Sequence, residues 1–462
     1  MTRTPRRPRS IVAIVALILA LSALGSCTPA EYSVGAIRIG AVFPISSNAA
    51  DLAGPELAGV QIAADLVNAD GGIQGRRIEL EVRDLRSRAE ADGVMEDLRD
   101  QGIEIVIGSY SSELSIAASE AADRAGLVYW EAGAVADRLT GRGLPRVFRV
   151  GASGANLGAN SSSFAASELA ARLGKAPSEL RIALAVADDD YANSVADAAE
   201  STAVARGLPV VLRRGYNLAV PDWPRVMDDL AAAKPDVIIL ASHIPDGIAF
   251  RQAMVASGLR VGALIGSTMA ECDPDFAGEL GADAVGIFAS DRPTAGFQPS
   301  ALGPEAAAAY ARFAPAWAKV ASEAGGSGDS TGGRGEYGDY GESEYTIHGP
   351  DEDATAEESE EALAGFSAAW ALFQHVLPAA AGSDGTASLT AETVAATARS
   401  LDLPDGSLPN GAGVRFSSDP ARLGQNERAA AVIWQWQAVR TYEFVWPPTY
   451  ATGTIDFVPL DR

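Results

Sequence analysis

Histidine and cysteine are almost missing from this chain, with only His243, His348, His375, Cys27 and Cys272 among 462 residues. Neither set has the spacing of metal ligands, so no metal site is expected. A serine nucleophile needs a base beside it. His348 falls in a low-complexity stretch and His375 inside a helical pattern, which leaves His243, just after an apolar run, as the one histidine placed to serve. No Gly-x-Ser-x-Gly turn stands before a helix, so an enzyme is not expected. Basic residues are also scarce: 36 Lys and Arg against 60 Asp and Glu give a net charge of -24 and disfavour nucleic acid as a partner. The Gly-rich runs lack the Lys-Ser or Lys-Thr of a phosphate loop and follow no strand, so no nucleotide cofactor is expected either.

What is present begins with a leader. Arg3, Arg6, Arg7 and Arg9 precede an apolar run over 11–24, and Leu24-Gly25-Ser26-Cys27 closes it with small residues. The run is shorter than the roughly 20 residues that cross a bilayer and reads as a signal peptide over 1–26. The Leu-Gly-Ser-Cys ending resembles a bacterial lipobox, which implies export, cleavage before Cys27 and lipidation of its thiol, with 27–36 as a tether to the outer face of the membrane. Once Cys27 is lipidated no internal disulfide can form, and stability has to come from packing. A mature chain of this length exceeds what one core usually holds, so two lobes are expected.

Short apolar runs alternate with amphipathic stretches from residue 37 onward, the pattern of parallel sheets covered by helices. Strands are predicted at 37–43, 78–82, 103–107, 127–130 and 147–150, then at 182–186, 210–212, 237–240, 264–265 and 285–288. Helices are predicted over 56–69, 305–324 and 357–376, and a hairpin from 430–436 and 441–446. Two successive sets of five strands predict an α/β chain of two doubly wound parallel-sheet lobes. Residues 325–356 are rich in Gly, Ser and acid and bury too little apolar area to order themselves, so they are expected to be a flexible insertion.

One segment stands out for function. In "VIGSYSSELSIAASE", 106–120, an apolar run stops at Gly108, hydroxyls follow through Ser112, and this segment opens a helical pattern that runs to Arg124. Ligands of open parallel sheets bind beyond the carboxyl ends of strands, and a helix start there favours a carboxylate by about 0.3–1 kcal/mol. An ordinary helix N-cap is the alternative reading of the same serines.

Further stretches are telling together: "IGAVFPISSNAADLAGPELAGVQIAADLVNADGGIQGRRIELEVRD", "VIGSYSSELSIAASEAADRAGLVYWEAGAVADRLTGRG", "ADDDYANSVADA", "KPDVIILASHIPDGIAFRQA" and "GQNERAAAVIWQWQ". In this order they resemble the type I periplasmic binding proteins, in particular the branched-chain amino acid and amide group that serves ABC transporters, over most of the mature chain. The Asn-Ala-x-Gly-Gly-Ile-x-Gly element at 68–75 is the most specific part.

The resemblance implies two lobes joined by a three-crossing hinge, one from 37–150 and 293–409, the other from 151–292 and 410–462. It also implies a monomer that captures a small amino acid-like, amide or carboxylate ligand in an interlobe cleft and delivers it to ABC permease subunits. A ligand-sensing lipoprotein without transport is the rival reading. By the same resemblance, Ser112 holds a ligand carboxylate by side chain and backbone amide with Ser111 beside it as a further ligand-binding candidate, Gly133, Ala134 and Val135 form the next contact loop, and Tyr191 closes over the ligand. The chain departs from the pattern at Leu52, where leucine-type receptors carry an aromatic, at Val135, which lacks a threonine hydroxyl, and at Glu131, in a small-residue position. Glu131 could pair with a cationic ligand group; a solvated or hydrogen-bonded carboxylate is the alternative. Ser242, His243, Asp246, Thr268 and Glu271 follow second-lobe strands and are candidates for reading the variable end of the ligand.

Overall fold

A computed structural model describes residues 35–47, 49–267, 274–293, 297–325, 359–382, 389–439 and 441–460. The leader, Cys27, Cys272, Thr268, Glu271 and residues 326–356 of the expected insertion lie outside the described residues. The chain divides into two compact units. The first is built from Met1–Gly133, Leu144–Val150 and Glu305–Leu401, the second from Ala134–Gly143, Gly151–Pro304 and Asp402–Arg462.

In the first unit, β1 (Ile37–Phe43), β2 (Ile78–Asp84), β3 (Ile105–Gly108), β4 (Val128–Glu131) and β5 (Val147–Arg149) form one parallel sheet in the order β2-β1-β3-β4-β5. The strands β1 and β3 are almost wholly buried, as expected when helices cover both faces and the side chains no longer alternate. Helix Ser112–Ala125 starts at Ser111, whose Oγ accepts from the Leu114 amide at 3.2 Å, and stops at Gly126 in the left-handed conformation. The apolar stretch Glu360–Ala381 has the length and hydropathy of a membrane span, but 78% of its most apolar 18 residues are buried, which makes it core. Trp130 anchors it there, its indole N–H donating to Ala368 O at 2.8 Å, and Phe313 stacks on Phe366 at 4.6 Å.

The second unit carries β6 (Ile182–Ala187), β7 (Val210–Tyr216), β8 (Val237–Ala241), β9 (Ala263–Ser267) and β10 (Phe288–Asp291). A short ladder joins β11 (Asp402–Leu403) to β12 (Val414–Arg415), and the chain closes with β13 (Val432–Ala438) and β14 (Thr441–Trp446). The main sheet has seven strands, not five, in the order β14-β13-β10-β9-β8-β6-β7. The closing hairpin is present and joins the sheet, because β13 pairs antiparallel with β10. The edge strand β7 runs beyond the predicted residue 212, through Arg213 and Arg214, whose charges suit a sheet edge. The last parallel strand starts at Phe288 rather than 285, since a 3-10 turn over Gly281–Ala284 is followed by Gly286 at φ 94°.

The unit boundaries differ from the sequence expectation in three places, each with local hydrogen bonds behind it. Residues 134–143 go with the second unit, where Gly154 N donates to Val135 O at 2.7 Å and Asp137 N to Ser194 Oγ at 2.9 Å. Residues 297–304 and 402–409 do the same, with Gln298 N donating to Tyr450 O at 3.4 Å and Arg428 Nη1 to Leu403 O at 2.6 Å.

Two glycines let helix Ala50–Ala69 lie close against Glu360–Trp370. A Cβ on Gly59 would sit 2.0 Å from Ala362 O, and one on Gly365 would sit 2.0 Å from Glu56 O. In an isolated helix Gly59→Ala would gain up to about 1 kcal/mol; against this backbone we expect a net loss of about 1–3 kcal/mol from overpacking. Urea unfolding decides the sign, and a stabilised Gly59→Ala would contradict the close packing.

Candidate functional site

In each unit the candidate residues collect on loops that leave the carboxyl ends of parallel strands. In the first unit, the turn from β3 into the following helix contains Gly108 at φ 144° and Tyr110 at φ 74°. A Cβ on Gly108 would meet Val42 O at 2.0 Å, so only glycine allows β3 to pass β1 here. Ser111 is the N-cap, engaged by the Leu114 amide, and the half-buried Ser112 is the first helical residue. The serine that caps the helix is therefore Ser111, and Ser112, expected from the resemblance to hold a carboxylate, is its neighbour and is not the cap. First-turn N–H groups of a helix point out of it, toward where an anion would sit.

The adjacent loop after β4 is fixed by a buried carboxylate. Glu131 is fully buried; its Oε1 accepts from the amides of Ala132 at 3.1 Å and Gly133 at 3.0 Å, and its Oε2 from the Tyr129 hydroxyl at 3.1 Å. Tyr129 OH lies 3.0 Å from Ser109 Oγ, and Ser109 N donates to Ser115 Oγ at 3.2 Å. Burial, then the charge of Glu131, pushes the Tyr129 phenol well above its usual pKa, which keeps it a donor. Glu131 is thus the hydrogen-bonded carboxylate of the two sequence readings, and it ties the two loops together. Gly133 lies against the Glu56 carboxylate: a Cβ would sit 1.9 Å from Glu56 Oε2, so that side chain would have to move. Leu52 is half-buried in the first turn of Ala50–Ala69, and Ala134 and Val135 are buried.

In the second unit, Asp189 caps helix Asp190–Ala205 by accepting from Ala192 N at 2.7 Å, and its second oxygen meets His243 Nε2 at 2.5 Å. His243 in turn starts helix Ile244–Ser257, where its N–H donates to Asp246 Oδ1 at 2.9 Å. Asp246 Oδ2 accepts from the Tyr216 hydroxyl. Tyr191 packs against the His243 ring at 4.8 Å, and its hydroxyl reaches Ser267 O at 2.9 Å and Ser242 O at 3.2 Å. Ser242 Oγ is buried and has no hydrogen-bond partner among the described residues.

Charge follows from this geometry. Burial would lower the His243 pKa, but the hydrogen bond and charge of Asp189, with the charge of Asp246, raise it above the ordinary value. For Asp189, burial is likewise outweighed by His243, and its carboxyl is held below the usual range. Asp246 goes the other way, raised chiefly by burial although His243 and Tyr216 oppose it.

Residues 36–328 match the periplasmic binding protein family. The chain is also 30% identical over 414 residues to the Leu/Ile/Val-binding protein homolog 8 of Brucella suis, covering 89% of this chain and 91% of that one. The chain belongs to the periplasmic binding protein family. Its fold is the type I fold of that family. A substrate-binding protein of an ABC transporter from Desulfitobacterium hafniense, in complex with Leu, superposes with a TM-score of 0.62 at 22% identity, covering 88% of this chain and 99% of that one. The branched-chain amino acid transporter substrate-binding protein of Streptococcus pneumoniae, in complex with isoleucine, gives 0.62 at 18% identity, covering 89% and 100%.

Within this periplasmic binding protein, the structure gathers Ser111, Ser112, Glu131 and Gly133 at the carboxyl edge of the first sheet, and Tyr191, Ser242 and His243 at that of the second. The sequence pattern does not single out Asp189, Tyr129 or Tyr216, and Ser109, one of the hydroxyls expected to face an anion, is instead buried against Tyr129. An N-cap signal was available for Asp189, an acid directly before a helical pattern. For Tyr129 and Tyr216, lying inside strands, nothing in the pattern marks a polar role.

The His243–Asp189 pair makes stability depend on pH. The raised His243 pKa contributes stability that is fully present below its unfolded value of about 6.5 and is lost as pH rises through the higher folded value. The lowered Asp189 pKa contributes above about 3.8 and is lost as pH falls through the lower folded value. Asp189→Asn keeps the helix cap and removes the charge, so we expect it to cost about 1.5–3 kcal/mol near pH 6 and clearly less near pH 9. Urea unfolding at both pH values checks this, and an equal cost at both would contradict the pair.

Proposed function

We propose that the protein is an exported solute-binding lipoprotein of an ABC importer, anchored through Cys27, that captures a small amino acid-like, amide or carboxylate ligand and breaks no bond. The observation that carries this reading is the position of Ser112 at a helix start on the carboxyl edge of the first sheet, in a chain of this family. The ligand's acid group is assigned to Ser112 and the first-turn amides. Contacts from the second unit come from Tyr191, Ser242 and His243, with Thr268 and Glu271, outside the described residues, as further candidates. The buried, unpartnered Ser242 Oγ supports a polar contact there. The ligands named for the relatives, Leu and isoleucine, support an amino acid. Leu52 and Val135 favour a compound that differs from leucine around its amino acid core.

Binding energy in such a protein selects a conformation, because a ligand shifts an equilibrium only by its differential affinity for the two states. The buried Glu131 and Asp189 networks keep the recognition loops in place before the ligand arrives, which reduces the entropy lost on binding.

A thermal-shift screen against amino acids, amides, polyamines and small carboxylates is expected to yield a stabilising ligand. Calorimetry should then show Ser112→Ala weakening it by more than about 1 kcal/mol, the loss of one hydrogen bond to a charged group. Unchanged affinity would remove Ser112 from the site, and turnover of the ligand would replace transport by catalysis.

A further inference from the structure

The second unit has another feature at the opposite end of its sheet, where the parallel strands begin. Helix Ile244–Ser257 ends there at Gly258, and Leu259, Arg260 and Val261 lead into β9. Residues 458–460 cross beside them, with Val261 N donating to Leu460 O at 3.4 Å. Gly286 makes room for this crossing, since a Cβ on it would lie 3.0 Å from Val458 Cβ. These segments enclose a groove of about 430 Å³, within the range of roughly 300–1,000 Å³ typical of small-ligand sites. Met254, Leu259, Val285 and Leu460 form its apolar wall.

Arg251 faces this groove and is only 8% exposed. Its Nε donates to the Asp283 carbonyl at 2.8 Å, and among the described residues no carboxylate pairs with its guanidinium. Burying a cation without a paired anion is costly. The desolvation lowers its pKa against the opposing charge of Asp283. Arg260, exposed on the rim, likewise has no ion pair among the described residues. Two arginines and one aspartate leave the groove positive on a chain whose net charge is -24.

We propose that this groove is a second ligand site, for a small monocarboxylate with an apolar body, its acid group held by the Arg251 guanidinium and its body lying along Met254, Val285 and Leu460. A guanidinium presents parallel N–H donors to a carboxylate, and an apolar wall favours a hydrocarbon over a bare inorganic anion. The site stands apart from the carboxyl-edge loops and does not rest on their assignment.

Octanoate is the probe. Titrated into the intact protein, it should shift the methyl resonances of Val285 and Leu460 and saturate. Arg251→Met should weaken it at least about tenfold, the loss of a charge-assisted hydrogen bond. Ala282→Trp, on the exposed rim, blocks the groove without touching the core and decides the matter if Arg251→Met does not fold. Ser112→Ala should leave octanoate affinity unchanged. Unshifted Val285 and Leu460 signals, affinity insensitive to Arg251→Met and Ala282→Trp, or loss of octanoate binding in Ser112→Ala would each overturn the proposal.

Discussion

Parallel strands run one way, so every loop that follows a strand leaves the sheet along the same edge, and the rest of this structure depends on that constraint. It puts Ser109 to Ser112 beside Glu131 to Gly133 in the first unit. It puts Asp189 to Tyr191 beside Ser242 and His243 in the second. Helices then begin where the strands stop, and their first-turn N–H groups gather on that edge. A fold made this way has anion-favouring helix starts before any residue is chosen for a ligand.

What the sequence adds is rigidity at the edge. In the first unit a carboxylate that never meets solvent, Glu131, accepts two amides of its own loop and the hydroxyl of Tyr129, and Tyr129 carries the link to the neighbouring loop through Ser109. In the second unit Asp189 uses one oxygen for a helix cap and the other for His243, which starts the next helix. Both devices place a carboxylate between two loops. A close backbone approach at Gly108 leaves no space for a side chain, which lets this loop pack against β1, and Gly133 lies against the Glu56 carboxylate. Loops held in this way have little freedom left to lose on binding, which is what the proposed site requires.

Much of this is legible in the residues because the inner strands β1 and β3 are buried on both faces and read as mainly apolar runs, while the edge strand β2 alternates apolar and charged residues. Residues 37–43 were placed to the residue for that reason. The second sheet was read less completely. Its antiparallel members β13 and β14 were visible as a hairpin, but periodicity carries no information on which strand they pair with. The unit boundaries follow long-range contacts, such as Gln298 N to Tyr450 O, that no composition signal marks. The expectation for Ser112 and Tyr191 rests on motif order and resemblance, whereas the partners of Glu131 and His243 are three-dimensional neighbours that sequence spacing does not give.

The central claim is that a ligand's acid group is held where the first unit's helix Ser112–Ala125 begins. A crystal structure of the protein with the solute that stabilises it most tests this directly. The account predicts a carboxylate oxygen at hydrogen-bonding distance, about 2.7–3.2 Å, from Ser112 and the first-turn amides. The solute bound elsewhere, with only solvent at that helix start, would contradict it.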